Sequence, residues 1–317
     1  MSTYLTIDGG TTNTRIRLVR DGKVLDVLKL HAGARSGFTD AAGLKSAVRD
    51  GIREVLSHNA LQEKDLQAIL ACGMLGSESG LTEVPHIKAP AGIRELHKSM
   101  LTASLPEISD LPLHIVRGVK QFPEQASYRD IDIMRGEETE LYGLIENPDA
   151  DTLYILPGSH SKLIETDSQG RISQFETLLS GEMIEALSQH TILRSAVHLE
   201  NNVLDESALR DGYRYAETEG INKALFKARI LKTQLSASDD TIYSFFLGVV
   251  LKDEIRAILK KGRRKIVIGG KGEIKRPMSL LLSAFSESEI TVLPDELTDE
   301  ATTRGLIRIY EYKGGCR

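Results

Sequence analysis

Five stretches of the sequence carry residue types that can act on a phosphate or a sugar. The first is Asp8-Gly9-Gly10-Thr11-Thr12-Asn13. Glycines let backbone N–H groups approach phosphate oxygens, hydroxyls add donors, and a carboxylate can hold a magnesium ion or its waters. A plain hairpin turn with Asp8 as a local cap would use the same residues. The second is Leu156-Pro157-Gly158-Ser159-His160-Ser161-Lys162, again a glycine followed by hydroxyls. Lys162 or His160 could offset charge near a transferred group; a surface turn with a solvated lysine is the alternative. The third is Ile266-Val267-Ile268-Gly269-Gly270-Lys271-Gly272. A strand ending in paired glycines lets the backbone pass close to a flat group such as adenine. An ordinary strand-to-helix loop accounts for it equally well. The chain contains neither a G-x-G-x-x-G fingerprint nor a G-x-x-x-x-G-K-[ST] loop.

The fourth stretch, Asp132-Ile133-Met134-Arg135-Gly136-Glu137-Glu138-Thr139-Glu140, reads as a helix start, with Glu137 and Glu140 on one face. A carboxylate there could take the proton of an attacking sugar hydroxyl. Acidic residues in a first turn also simply complement the helix dipole, and taken alone these residues favour that role. The fifth, Gly73-Met74-Leu75-Gly76-Ser77-Glu78, is either a substrate loop or a tight turn with Met74 and Leu75 packed inward. Ala32-Gly33-Ala34-Arg35-Ser36-Gly37 is a glycine loop with one cation. Cys72 reads as a buried core thiol. The 8 histidines form no metal-binding pair of the H-x₃-H or H-E-x-x-H type.

These stretches need strands and helices to hold them. Strands are expected at 4–8, 14–20 and 23–30, the last two joined by the hairpin signal Asp21-Gly22. A helix at 40–58 carries Leu44, Val48, Ile52, Val55 and Leu56 at helical spacing. Then come a strand at 67–72, a helix at 93–104, a strand at 113–116 and a helix at 132–145, ended by Asn147-Pro148-Asp149. The pattern then restarts. Strands are expected at 152–156, 161–166 and 171–178, and helices at 182–193, 204–218, 222–235 and 240–261. A strand at 265–268, a helix, a strand at 290–293 and a helix at 297–310 close the chain. Each half thus opens with three antiparallel strands, and the first two motifs sit at the first turn of each half. That is a weak internal repeat in equivalent positions. The expected division is 1–147, with the first phosphate-type loop, and 148–317, with the second.

Composition narrows the partners. The 317 residues include 40 Lys+Arg against 45 Asp+Glu, a net charge of -5, with 41% hydrophobic content and no tryptophan. A soluble α/β protein of two domains fits these values. The apolar run near 242–251 is about half of the roughly twenty residues a spanning helix needs. No signal peptide is expected, and two distant cysteines, Cys72 and Cys316, fit a reducing cytoplasm. Without a basic tract, neither nucleic acid nor a membrane is an expected partner.

Two phosphate-type loops, one opening each half, with a distal glycine-pair strand resemble the sugar-kinase, heat-shock-protein and actin superfamily. More specifically, Met134-Arg135-Gly136-Glu137-Glu138-Thr139, Leu156-Pro157-Gly158-Ser159-His160-Ser161-Lys162, Ser180-Gly181-Glu182 and Gly73-Met74-Leu75-Gly76-Ser77 resemble the signature blocks of the 2-dehydro-3-deoxygalactonokinase family, in order over about 6–309. Gly9 departs by standing where the family usually carries tryptophan. Ser159 replaces a common threonine and Leu75 a common isoleucine. The resemblance implies two ribonuclease-H-like domains with ATP in the cleft between them. It implies phosphorylation of the 6-hydroxyl of 2-dehydro-3-deoxy-D-galactonate in galactonate catabolism. A kinase for 2-dehydro-3-deoxygluconate or another sugar acid, and a non-kinase actin-like ATPase, are the alternatives. By that resemblance Asp8 serves Mg2+; Gly10, Thr11, Thr12, Gly158, Ser159 and His160 cradle phosphates; Gly269 and Gly270 border adenine. Glu137 takes the place of the catalytic carboxylate, with Glu138 its rival one residue on. Gly73, Met74 and Ser77 are the candidate substrate-loop residues, and charge and loop position, rather than the resemblance, make Arg35 and Arg135 the candidate cations for the sugar-acid carboxylate. A homodimer is left open.

Overall fold

β1 (Thr3–Gly9), β2 (Thr14–Arg20) and β3 (Lys23–Leu30) form an antiparallel meander, β1 buried almost throughout and β3 alternating between half-buried and exposed residues. Asp21 (φ 48°) and Gly22 (φ 77°) make the tight turn between the last two. The computed structural model describes residues 2–37, 40–125, 127–200, 203–270 and 274–314. After the meander come α1 (Ala34–Gly37), α2 (Ala41–His58), β4 (Ala68–Gly73), β5 (Ile87–Lys88), α3 (Ile93–Ser99), β6 (Leu101–Ala103), β7 (Leu113–Ile115), β8 (Val119–Gln121), β9 (Asp132–Met134) and α4 (Glu137–Leu144). A second meander of β10 (Thr152–Leu156), β11 (Ser161–Thr166) and β12 (Ile172–Leu178) follows. Then come α5 (Ser180–His190), α6 (Glu206–Glu219), α7 (Ile221–Thr233), α8 (Asp239–Lys261), β13 (Lys265–Ile268), α9 (Lys275–Phe285), β14 (Glu289–Val292), α10 (Asp295–Asp299) and α11 (Ala301–Tyr310).

The two large sheets share a five-strand order, to which the first adds β6 at its far edge. One runs β3-β2-β1-β4-β7-β6 and the other β12-β11-β10-β13-β14. In each, the first strand of the meander pairs in parallel with the next strand inward, β1 with β4 and β10 with β13. The weak repeat in the sequence is therefore a full repeat of topology, that of the ribonuclease-H-like domain. Two compact units result. One holds Met1–Ala150, Thr166–Phe175 and Glu296–Arg317; the other holds Asp151–Glu165 and Glu176–Asp295. The C-terminal segment thus belongs with the first unit, whereas the sequence reading has a single cut at 147/148.

In the first unit, Leu5, Ile7, Ile16 and Leu18 pack against Leu44, Val48, Ile52 and Val55 of α2. Asp40 caps that helix, accepting the Gly43 N–H at 2.7 Å. α4 and α11 meet backbone to backbone: a Cβ on Gly143 would lie 1.7 Å from the Ala301 carbonyl oxygen, and one on Gly305 1.9 Å from that of Thr139. This contact fixes the start of α4. In the second unit Leu153, Ile155 and Leu163 pack with α8, which is buried along most of its length. No helix among the described residues is long and apolar enough to cross a membrane.

Three expected helices differ. The one at 93–104 stops at Ser99, because Leu101–Ala103 pairs with β7 instead. The one at 132–145 starts only at Glu137: Asp132–Met134 pairs with β8, and Gly136, at φ 114°, breaks the chain direction. The one at 297–310 is two helices, α10 and α11.

Candidate functional site

In the first unit, parallel pairing of β1 and β4 sets Asp8 opposite Cys72 and Gly9 opposite Gly73. Both strands end together, and two loops leave from one sheet edge. Gly73 has φ 72°, and a Cβ on it would lie 2.4 Å from the Gly9 carbonyl oxygen and 3.5 Å from Asp8 Oδ1. Gly136 in turn lies against Gly73, its would-be Cβ 3.3 Å from the Gly73 Cα. Three close approaches thus bring Asp8, Gly73 and the first turn of α4 to one place. Buried Arg17 adds positive charge that acts on Asp8 from the sheet. Burial pushes the Cys72 thiol well up, and the negative charges of Asp8 and Glu138 add to it, so Cys72 is an inert core thiol.

The loop after β1 is open to solvent at Gly10, Thr11 and Thr12. Gly33 packs beneath it, where a Cβ would come within 2.7 Å of the Gly10 and Thr11 carbonyl oxygens. The Ala34 and Arg35 N–H groups donate to those carbonyls at 3.1 and 2.8 Å. Arg35 itself is exposed. Gly9 faces Leu75, whose Cγ would be 2.3 Å from a Cβ at position 9. The space next to the loop that a large residue 9 would take is therefore filled by Leu75. Met74 is half-buried in a 3-10 turn, and the Ser77 hydroxyl donates to the Met74 carbonyl at 2.7 Å, holding that turn.

The two glutamates at the start of α4 have different surroundings. Glu137 is half-buried, and its Oε2 accepts the Arg135 N–H at 2.9 Å. Glu138 is fully buried and accepts the Gly136 N–H with both oxygens, at 3.0 and 2.8 Å, and the Thr139 hydroxyl at 3.0 Å. Burial, and then the charge of Glu137, push its pKa up to about 7. The Arg135 guanidinium turns toward the segment after β4. Its Nη2 donates to the Val84 carbonyl at 2.9 Å and to His86 Nδ1 at 3.2 Å. His86 must accept there, and burial followed by the charges of Arg135 and Lys120 lowers its pKa to about 4, so it is neutral. Arg135 Nη1 is buried and has no hydrogen-bond partner among the described residues.

In the second unit, Gly158, Ser159 and His160 link β10 to β11. A Cβ on Gly158 would meet nothing within 4 Å, so the outer side of this loop is open. Its inner side is tightly seated. A Cβ on Gly181 would lie 2.3 Å from the Gly158 carbonyl oxygen, and the Glu182 N–H donates to Ser159 at 3.2 Å. His160 Nε2 lies 3.2 Å from Glu182 Oε1, an exposed pair worth little in stability. Lys162 is not a solvated lysine: it is buried, and its Nζ donates to the His160 carbonyl at 3.1 Å. Gly270, at φ 68°, closes on the same place, its would-be Cβ 2.7 Å from the Pro157 carbonyl oxygen. The Gly269 N–H donates to Ile155 at 2.8 Å. The glycine pair and the loop are thus neighbours, while Lys271 and Gly272 lie outside the described residues, as does Cys316.

The donor set at Asp8 fits magnesium delivered with a nucleotide. Among the described residues no group of three His, Cys, Asp or Glu forms a cage for a metal. Magnesium needs none: it keeps several waters and binds through one or two carboxylates plus substrate phosphates. Asp8, half-buried beside the exposed Thr11 and Thr12, has the surroundings such a carboxylate needs.

A duplicated ribonuclease-H-like unit with a phosphate-type loop on each copy defines a kinase-type ATPase of the actin-like class. The chain shares its fold over 97% of its length with an activator of 2-hydroxyisocaproyl-CoA dehydratase from Clostridium difficile, solved with bound ADPNP, at a TM-score of 0.51 and 12% identity. A crystal structure from Sinorhizobium meliloti, of a candidate 2-dehydro-3-deoxygalactonokinase, superposes at a TM-score of 0.77 with 21% identity, covering 98% of both chains. The sequence profile of the 2-keto-3-deoxy-galactonokinase family matches residues 8–309, and the chain belongs to that family. The 2-dehydro-3-deoxygalactonokinase of Escherichia coli is 27% identical over 259 residues, 80% of each chain. The probable 2-dehydro-3-deoxygalactonokinase DgoK1 of Rhizobium meliloti is 31% identical over 198 residues; the match spans 61% of this chain and 59% of that relative.

Two residues that sequence patterns passed over belong with these loops. Arg17 is one. The other is Glu254 on α8, a carboxylate on an otherwise apolar stripe with Leu247, Val250, Leu251 and Ile258.

Proposed function

We propose that this chain transfers the γ-phosphoryl group of ATP to the 6-hydroxyl of 2-dehydro-3-deoxy-D-galactonate, in the cytoplasm where ATP is supplied. One observation carries the reading: the end of β1 with Asp8, the exposed loop Gly10–Thr12 and the start of α4, which carries the half-buried Glu137, lie at one sheet edge. That is the set a phosphoryl transfer to an alcohol requires. Family membership supports the choice of sugar acid.

Glu137 is the better general base. It keeps exposure, whereas Glu138 is sealed in and spends its oxygens on Gly136 and Thr139. The Arg135 N–H orients the Glu137 carboxylate, and Glu138 holds the Gly136 turn from which Glu137 projects. As the sugar hydroxyl attacks, its proton passes to Glu137. Backbone N–H groups and hydroxyls of Thr11, Thr12 and Ser159, with His160, hold the phosphates. Gly269 and Gly270 leave room for the adenine. Magnesium on Asp8 would supply positive charge to the phosphate oxygens. Arg135, with an unused buried N–H, is the cation for the substrate carboxylate, and exposed Arg35 is its alternative.

A panel of sugar acids assayed with Mg-ATP tests the reading. The galactonate derivative should give the highest kcat/KM. The gluconate epimer winning would correct the substrate. ATP hydrolysis that no sugar acid stimulates would refute the kinase.

A further inference from the structure

Glu254 lies beneath the loop of the second unit and has no role in the mechanism above. Its side chain is fully buried, and among the described residues neither carboxyl oxygen has a hydrogen-bond partner of ordinary geometry. α8 runs alongside β11 in the same direction. At the far end Lys261 reaches Glu165 at 2.8 Å. At the near end Glu254 meets only hydroxyls, Ser161 at the start of β11 and Ser180 at the start of α5, both buried. No cationic side chain among the described residues acts on it, and burial raises its pKa. A buried carboxylate left in that state is costly, and the group resolves the cost by keeping its proton.

The hydroxyl inventory agrees. Ser161 Oγ faces both the Gly158 N–H, at 3.4 Å, and the Gly158 carbonyl, at 3.5 Å. A serine hydroxyl has one hydrogen and two lone pairs. An ionised Glu254 would claim that hydrogen and leave the Gly158 carbonyl without it. A protonated Glu254 donates to the second lone pair, so all three contacts of Ser161 are satisfied. Ser180, whose hydroxyl faces the same carboxyl, leads into the turn Gly181–Glu182, which seats Gly158 and Ser159. We infer that Glu254 is a positioning residue: a neutral carboxylic acid that donates its proton to Ser161 Oγ and so fixes the Gly158–His160 turn for a nucleotide's phosphates. The inference rests on the nucleotide reading of that loop.

Three variants and one spectrum test it. The infrared difference between wild type and Glu254→Gln near neutral pH should contain the band of a buried protonated carboxyl. A carboxylate band in its place overturns the inference, whatever the loop binds. Glu254→Gln keeps a neutral donor and should hold KM for ATP within about threefold of wild type. Glu254→Met removes the donor and should raise that KM by about tenfold or more, with the sugar-acid KM within twofold, as expected for one lost buried hydrogen bond. If Gln is as impaired as Met, the anion is what matters and the inference fails. It fails equally if neither variant changes KM for ATP while Gly158→Val, which blocks the open side of the loop, does. If Gly158→Val has no effect on ATP, the nucleotide reading is at fault, and the infrared band alone then decides the state of Glu254.

Discussion

Glu138 should make the first unit less stable as pH rises, and Glu138→Gln isolates the effect. Burial first, then the charge of Glu137, raise its pKa to about 7 from an ordinary 4.5, against the opposing bonds from Gly136 and Thr139. In the unfolded chain the group ionises near the ordinary value. Between the two values the folded chain holds a proton that the unfolded chain has released, so stability drops with increasing pH. The contribution is fully present below about 4.5 and is lost above about 7. Each tenfold change in proton affinity is worth ~1.4 kcal/mol, so the window spans about 3 kcal/mol. For a unit of this size that is on the order of 5–10 °C in melting temperature. The Gln variant cannot titrate there, though its carbonyl can still accept the Gly136 N–H. Thermal melts of both proteins across pH 5–8, followed by tyrosine fluorescence, therefore give a wild-type-minus-variant difference in which other titrations cancel. That difference should fall from pH 5 to about pH 7 and level off above it. Parallel curves would show that Glu138 does not carry a raised pKa. Adding Glu137→Gln should shift the window to lower pH, because a neighbouring negative charge has gone.

Three further outcomes follow from the geometry. Glu137→Gln should lower kcat by roughly 10²–10⁴ with little change in melting, as for a lost general base; a loss under tenfold moves the role elsewhere. Arg135→Met should raise the sugar-acid KM by about tenfold or more while KM for ATP stays put, and an unchanged value would hand the substrate carboxylate to Arg35, testable by Arg35→Met. Glu165, mostly buried, bonds Lys261 and Arg263, whose charges outweigh the upward push of burial and hold its pKa below the usual range. Its stabilisation is present above the ordinary carboxylate pKa and lost as pH falls through the lower, folded value. Glu165→Gln should cost about 2 kcal/mol at neutral pH, read by denaturant unfolding; no change would mean the pair only offsets its own desolvation.

Much of the fold was legible because long strands and helices carry their periods in the residue order. β2, β3, β10, β11 and β13 begin and end where alternation and turn residues predict. The failures are local contests. Leu101–Ala103 and Asp132–Met134 are three-residue strands, too short to show alternation, and their pairing with β7 and β8 decides their state. The same is true of the candidate site. Glycines at turns announced both loops, but residue order could not separate Glu137 from Glu138. Only the helix rotation set by the α4–α11 contact exposes one and buries the other. Arg135 read as a simple cation, and its hold on Val84 and His86 depends on long-range folding. Glu254 did leave a signal, a single acid on the apolar stripe of α8, of the kind that periodicity can detect and that burial makes meaningful.

The two units use one topology for different electrostatic ends. β1 finishes on Asp8 and Gly9, so a carboxylate stands at the mouth of the first loop, with Glu137 near it. β10 finishes on Leu156, followed by Pro157, and the loop after it offers backbone groups, Ser159 and His160. Its nearby acids are Glu182, exposed beside His160, and Glu254, buried where its charge would be suppressed. Polyphosphate carries several negative charges, and two unit charges about 4 Å apart interact by ~4 kcal/mol near a protein surface. A carboxylate at the mouth of both loops would therefore repel the nucleotide twice, with one magnesium ion to relieve it. The chain as a whole carries a net charge of -5, so attraction has to come from placed donors rather than from overall charge. On the proposed reading, an acid kept underneath the second loop, neutral and bonded to Ser161, would let the repeated fold bind an anion on one copy and manage a metal on the other.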